Sequence, residues 1–178
     1  MSPYDVICTD PPWLYYGSET KDQAAGKHYP CMTLEDLSAI PVPLSRRGVL
    51  FMWATGPKLD TSLALIKAWG MHYRGVAFVW VKTTQAGKII HAQGVRPSIV
   101  KPTTEFVLAA SYVAKGRPMQ IASERMPQVI LASRPGGIHS KKPADFYQKI
   151  EELYPSARRL EMFARSQRTG WDVWGNEV

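Results

Sequence analysis

Cysteine is scarce in this chain. Its 178 residues include two, Cys8 and Cys31. That is too few for a disulfide framework and is the usage expected of a reducing, cytoplasmic setting. Long apolar runs are missing too. The longest stretch free of Asp, Glu, Lys and Arg is the ten residues from Gly48 to Pro57, about half of what a membrane-spanning helix needs. The start, Met1-Ser2-Pro3-Tyr4-Asp5, has neither the basic residues nor the apolar run of a signal peptide. His28, His72, His91 and His139 share no ligand spacing and have no cysteines at suitable intervals, so no metal site is expected. There is no Gly-x-Gly-x-x-Gly to mark a dinucleotide site and no Gly-x-Ser-x-Gly to mark a hydrolase elbow. Neither cysteine lies in a nucleophile motif. Acidic residues are the minority: 22 Lys and Arg face 15 Asp and Glu, for a net charge of +7.

What is present describes an ordinary globular domain. Apolar residues make up 45% and charged residues 21%, which excludes a disordered chain or a coiled coil. The length fits one domain spanning 1–178, with about 70% of the unfolded surface available for burial. The basic excess is uneven. Lys82, Lys88, Arg96, Lys101, Lys115 and Arg117 are opposed only by Glu105, and Arg158, Arg159, Arg165 and Arg168 only by Glu161. Such groups read either as solvated faces or as a surface for a polyanion. Six Trp and eight Tyr add the means to stack bases, although most of these rings belong in a core.

Periodicity predicts strands at Tyr4–Thr9, Val49–Ala54, Gly75–Val81, Glu105–Tyr112, Gln128–Ala132 and Leu160–Ala164. Thr33-Leu34-Glu35-Asp36 looks like a capping box, with Leu34, Leu37 and Ile40 on one side of a short helix. A second helix is expected over Leu59–Trp69 with Gly70 as its stop, and a third in which Pro143 sits in the first turn and Phe146, Tyr147, Ile150 and Leu153 recur at helical spacing. Alternation of strands and helices predicts an α/β domain with a mainly parallel sheet flanked by helices. Residues 82–104 read as a long basic loop.

The most informative tetrapeptide is Asp10-Pro11-Pro12-Trp13, immediately after the first strand. In α/β sheets ligands bind beyond the carboxyl ends of strands. Proline has no N–H, so two in succession are expected to leave outward carbonyls unpaired beside a carboxylate and an indole. That set suits a planar ring with an exocyclic amine. The bland alternative is a tight turn with a buried tryptophan.

Asp10-Pro11-Pro12-Trp13 resembles the catalytic signature of the MT-A70 family of adenine N6-methyltransferases. The likeness continues in order: Tyr29-Pro30-Cys31-Met32; Leu50-Phe51-Met52-Trp53-Ala54-Thr55; Trp69-Gly70; Trp80-Val81-Lys82; Glu105-Phe106-Val107-Leu108; His139-Ser140-Lys141-Lys142-Pro143; Leu160-Glu161-Met162-Phe163-Ala164-Arg165; and Gly170-Trp171-Asp172-Val173-Trp174-Gly175-Asn176-Glu177. It covers nearly the whole chain. The resemblance implies a Rossmann-like methyltransferase fold with permuted motif order and S-adenosylmethionine as methyl donor. It implies that Asp10 and the Pro11 carbonyl accept the amine hydrogens, that Trp13 stacks on the base, and that Tyr29 stacks on it or gates it. It also implies that Lys142 binds the methionine carboxylate, that Arg165, Asn176 and Glu177 reach the ribose, and that Glu161 and Phe163 line the pocket. Asp10 is expected to touch the methionine end as well. Some family members hold the cofactor adenine with an Asp-containing segment upstream of this turn; nine residues precede Asp10 here, so that pocket is expected to be built otherwise or to be shallow. The function expected is methyl transfer to adenine N6 in nucleic acid, DNA ahead of RNA. A non-catalytic nucleic-acid-binding subunit and a cytosine N4-methyltransferase stand as alternatives.

Overall fold

The computed structural model describes residues 3–13, 31–90, 99–135 and 141–175. The strands are β1 (Tyr4–Thr9), β2 (Leu44–Ala54), β3 (His72–Thr83), β4 (Thr104–Ser111), β5 (Val129–Ser133), β6 (Arg159–Met162) and β7 (Asp172–Trp174); the helices are α1 (Leu34–Ser38), α2 (Leu59–Ala68) and α3 (Ala144–Leu153). All seven strands join one sheet in the order β5-β3-β4-β2-β1-β6-β7. β1 runs parallel to β2 and β6, β6 to β7, and β3 to β5; among the described residues only β4 is antiparallel, to both β2 and β3. The expected α/β domain with a mainly parallel sheet is the observed one.

Period-two alternation in β1 explains the layering. Ile7 points into a cluster with Leu37, Leu50, Met52, Leu65, Ile66, Trp69 and Leu108, beneath α1 and α2. Val6 and Cys8 point the other way, into a cluster with Phe51, Trp53, Phe78, Trp80, Phe146, Tyr147 and Ile150, beneath α3. The apolar stretch Val49–Ala54 of β2 is buried throughout, and the apolar runs that looked uninterrupted in the sequence serve two faces at once.

Local signals held where the chemistry is local. Thr33 Oγ1 accepts from the Asp36 amide at 3.1 Å while Asp36 Oδ2 accepts from the Thr33 amide at 3.3 Å, completing the capping box. Gly70 follows α2 at φ 73°, where a side chain would be strained. Several bounds moved. β2 begins at Leu44 rather than Val49, carrying the exposed Arg46 and Arg47 as part of the strand. Pro143 caps α3 at φ −66°, ψ 143° instead of entering its first turn. β6 ends at Met162 because Phe163 turns to φ 60°. The three-residue β7 had no sequence signal.

Candidate active site

The pairings place the carboxyl ends of β1, β2, β3, β5, β6 and β7 on one edge of the sheet, with the amino end of the reversed β4 among them. Asp10, Lys82, Glu105 and Arg165 all follow from that register. They belong to four different segments of the chain and meet at one edge. Lys142 joins them from the residue before Pro143, the cap of α3.

Lys142 is the centre of the cluster. It is 9% exposed, and its Nζ lies 3.1 Å from Asp10 Oδ2 and 2.9 Å from Glu105 Oε2. The same ammonium sits 5.0 Å from the centre of the Trp53 ring, a favourable cation–π distance. On the far side, Lys82 Nζ donates to Glu105 Oε1 at 2.6 Å. Arg165 approaches Asp10 Oδ2 at 3.9 Å. Positive and negative groups therefore alternate from β3 to the end of β1. Burial alone would raise the Glu105 carboxyl, but Lys142 and Lys82 outweigh it and hold the group down to about 2. Burial likewise works against the Lys142 ammonium, and Asp10 with Glu105 more than offsets it, so its pKa is raised. For Asp10 burial prevails: its carboxyl is raised despite Lys142, with Glu105 adding to the rise.

The turn after β1 differs from the expectation in one respect. Both proline carbonyls are engaged. Pro11 O accepts from the Trp13 amide at 2.9 Å, and Pro12 O accepts from the Met32 amide at 2.8 Å. Trp13 is the first residue after the prolines with an N–H to offer, and it closes a three-residue turn on Pro11. The Trp13–Met32 bridge then ties the turn to the chain ahead of α1. A carbonyl has two lone pairs, so Pro11 keeps an acceptor site for a ligand, but the turn is more tightly fixed than two unpaired carbonyls would be. Trp13 itself is 5% exposed and packs in the cluster beneath α1 and α2. Its indole is held in the interior.

At the neighbouring strand end, Glu161 Oε1 accepts from the Tyr147 hydroxyl at 2.5 Å and makes no pair with Arg158 or Arg159. Burial raises the Glu161 carboxyl, while the Tyr147 hydrogen bond and Arg168 oppose the rise. Arg168 lies over the Tyr147 ring, 3.6 Å from its centre. Phe163 occupies the left-handed region at φ 60°, which costs a residue other than glycine about 1–2 kcal/mol. Its ring meets Trp174 edge-on at 5.1 Å, and the Ala164 amide donates to Trp174 O at 3.0 Å. Gly175 is required by this approach: a Cβ there would lie 2.5 Å from Ala164 O and 2.7 Å from Ala164 N. The strained turn after β6 is therefore pinned by the closing Gly-Trp segment.

Asp10, Lys142 and Arg165 are thus brought together, with Glu161 and Phe163 on the adjacent strand end. Tyr29, Asn176 and Glu177 lie outside the described residues, as does Arg96. Lys82, counted above with the basic loop, is instead paired in the cluster, and among the basic residues of 82–104 Lys88 and Lys101 are exposed. Glu105 and Lys82 carried no role in the sequence reading. The available signal was a carboxylate heading an otherwise apolar strand. An open cavity of about 570 Å³ lies elsewhere, lined by Tyr4, Arg168, Trp171 and Asp172 at the amino ends of β1 and β7. It is remote from Asp10 by register. Among the described residues no group of His, Cys, Asp and Glu could hold a metal ion, and no helix is long and apolar enough to cross a membrane.

The Asp10 turn beyond the carboxyl end of β1 sits where α/β sheets bind their ligands. The MT-A70 family pattern matches residues 4–177. The type II methyltransferase M.MunI of Mycoplasma sp. is 33% identical over 195 residues, covering 98% of this chain and 78% of that protein. The human N(6)-adenosine-methyltransferase catalytic subunit METTL3 is 29% identical over 185 residues, covering 100% of this chain and 29% of that protein. An Arabidopsis thaliana MT-A70-like N(6)-adenosine-methyltransferase is 29% identical over 181 residues, with 24% of its length covered. This chain spans about a quarter of these last two relatives. It belongs to the MT-A70 family, a family of adenine N6-methyltransferases that use S-adenosylmethionine.

Proposed function

We propose that this chain transfers the methyl group of S-adenosylmethionine to the N6 amine of adenine in DNA. The observation that carries the reading is the Asp10 carboxylate, held beyond the end of β1 by the buried Lys142 ammonium at 3.1 Å. The DNA assignment is supported by the type II methyltransferase, which matches along 98% of this chain and 78% of its own length.

The residues fit the cofactor. Its methionine end carries a carboxylate and an ammonium, and the edge presents a buried ammonium, a guanidinium and a carboxylate: Lys142, Arg165 and Asp10. Lys142 would hold the methionine carboxylate, with Asp10 touching the same end. Arg165, Asn176 and Glu177 would reach the ribose, and Glu161 and Phe163 would line the pocket. When bound, the cofactor supplies an electrophilic methyl group on a sulfonium.

The chain's part is to prepare the amine. Adenine N6 is a poor nucleophile because its lone pair is delocalised into the ring. Asp10 and the free lone pair of Pro11 O would accept the two N6 hydrogens and draw the nitrogen towards a pyramidal shape. Holding it about 3 Å from the methyl is worth several kcal/mol as a near-attack effect. As methylation makes the amine cationic, Asp10 is placed to take the proton, and its raised pKa makes it the stronger base. The buried Trp13 would support the turn from beneath, and Tyr29 would stack on the base or gate it.

Incubating the protein with S-adenosylmethionine and matched DNA and RNA, digesting to nucleosides and identifying the product tests this reading. N6-methyldeoxyadenosine is expected. N6-methyladenosine from RNA alone would replace the substrate assignment, N4-methylcytosine the target atom, and binding without any methylated product would make the chain a non-catalytic subunit.

A further inference from the structure

We propose that Lys82 and Glu105 are positioning residues that tune the Asp10 carboxylate through Lys142, at the root of the segment joining β3 to β4. The inference rests on Asp10 being the reaction centre, and it concerns groups the catalytic reading leaves unused.

The geometry is a largely buried chain of alternating charges, with Asp10 the most open at 24%. Lys82, Glu105, Lys142 and Asp10 are linked by contacts of 2.6, 2.9 and 3.1 Å. Side-chain exposures of 14% for Lys82, 11% for Glu105 and 7% for Lys142 leave little water to screen them. Glu105 uses both carboxylate oxygens, one for each lysine. That division has a chemical consequence. Glu105 facing Lys142 alone would bind it as a private partner, and its charge would repel any further anion. With Lys82 neutralising Glu105, Lys142 keeps attraction to spare for Asp10 and for a second carboxylate. Placement adds a structural consequence. Lys82 is the last residue but one of β3 and Glu105 the second of β4, with Trp80 opposite Glu105 in the ladder; the Lys82 amide donates to Thr103 O at the end of the intervening segment, and the Lys82 carbonyl accepts from the Ile90 amide nearer its start. The Lys82–Glu105 pair thus clamps the base of the segment that carries the exposed Lys88 and Lys101.

The groups facing Asp10 are Lys142 ahead of α3, Glu105 on β4, Arg165 after β6 and Glu161 on β6. Changing Lys82 or Glu105 leaves the other three in place, so the two substitutions should move Asp10 in opposite directions. Carbon-13 NMR titration of the Asp10 carboxyl in the free protein reads this without substrate. Glu105→Gln should lower its pKa by about one unit, and Lys82→Met should raise it by less, being farther away. The charge-neutral double variant K82M/E105Q should return it close to the parent value, and Lys82→Arg should leave it there. The acidic limb of the methylation pH profile should move in step.

Shifts in the same direction, or none, overturn the inference, as would a double variant that adds the two effects instead of cancelling them. Failure to fold in a single variant combined with a parent-like titration in the double would support charge coupling. Failure of both singles and the double would make the pair structural and overturn the inference. If the parent protein methylates nothing yet the opposite shifts appear, the positioning stands and the assigned function falls. The two failures are therefore separable.

Discussion

The sheet carries an ion-pair cluster at each edge, and the two differ above all in how much water reaches them. At the carboxyl edge Lys142 and Glu105 are buried, and Lys82 and Asp10 keep side-chain exposures of 14% and 24%. At the amino edge Arg158 bonds Asp172 at 3.1 Å and the Tyr4 hydroxyl at 3.2 Å, with the Tyr4 hydroxyl donating to Asp172 at 2.7 Å. There Arg158 is 45% and Asp172 55% exposed. Water and salt screen such a pair, and its worth is small however good its geometry. In the dry cluster each charge depends on its neighbours, because removing one leaves another buried and uncompensated. The exposed Asp172 carboxyl is also lowered, by its hydrogen bonds from Tyr4 and Arg158, so what burial decides is how much stability a shifted carboxylate carries.

The largest effect expected is on turnover. Asp10→Ala should abolish methyl transfer, whereas Asp10→Asn, which keeps one oxygen acceptor, should retain measurably more; equal rates in both variants and the parent would detach the chemistry from this edge. Next comes Lys142→Met. It leaves Asp10 and Glu105 facing each other across the site and should cost about 3–5 kcal/mol of stability as well as activity. Denaturant titration reads the first and a methyl-transfer assay the second.

Acid titration separates the two carboxylates of the dry cluster by sign. Glu105 is held at about 2 from an ordinary 4.5, so its contribution is fully present above pH 4.5 and is lost as pH falls towards 2. That shift corresponds to roughly 3 kcal/mol. Asp10 acts oppositely: its raised pKa makes the folded state relatively more stable as pH falls through that value. Glu105→Gln should therefore flatten the loss of stability below pH 4.5, and an unchanged acid curve would mean that the buried pair carries no linkage. The smallest effect belongs to Arg158→Ala at the open edge. It should lower the melting temperature slightly in dilute buffer and not at all in half-molar salt. A salt-independent loss would show that exposure has been given too much weight.

The two edges were unequally legible beforehand. The Asp10 turn, the capping box at Thr33 and the stop at Gly70 are short-range features, set by residues within a few positions of one another. Lys142 and Arg165 were named from motif likeness, and both reach Asp10. The engaged carbonyls of Pro11 and Pro12 were not foreseen, because the donor to Pro12 is Met32, far along the chain. The buried state of Trp13 is the bland alternative that the sequence offered, and it is decided by where α1 and α2 pack. Glu105 and Lys82 lie 23 positions apart, and only the antiparallel β3–β4 ladder makes them partners.

Sequence alone determined the alternation of strands and helices, the turn beyond β1, the scarcity of thiols and the family to which the motifs point, because each is written in neighbouring residues or in their order. The tertiary structure decided the state of the charges. Whether a carboxylate is held at about 2 or pushed upward depends on which ammonium groups lie within 3 Å and how much water reaches them. Those distances are set by strand register and by the packing of α3, which no local pattern specifies.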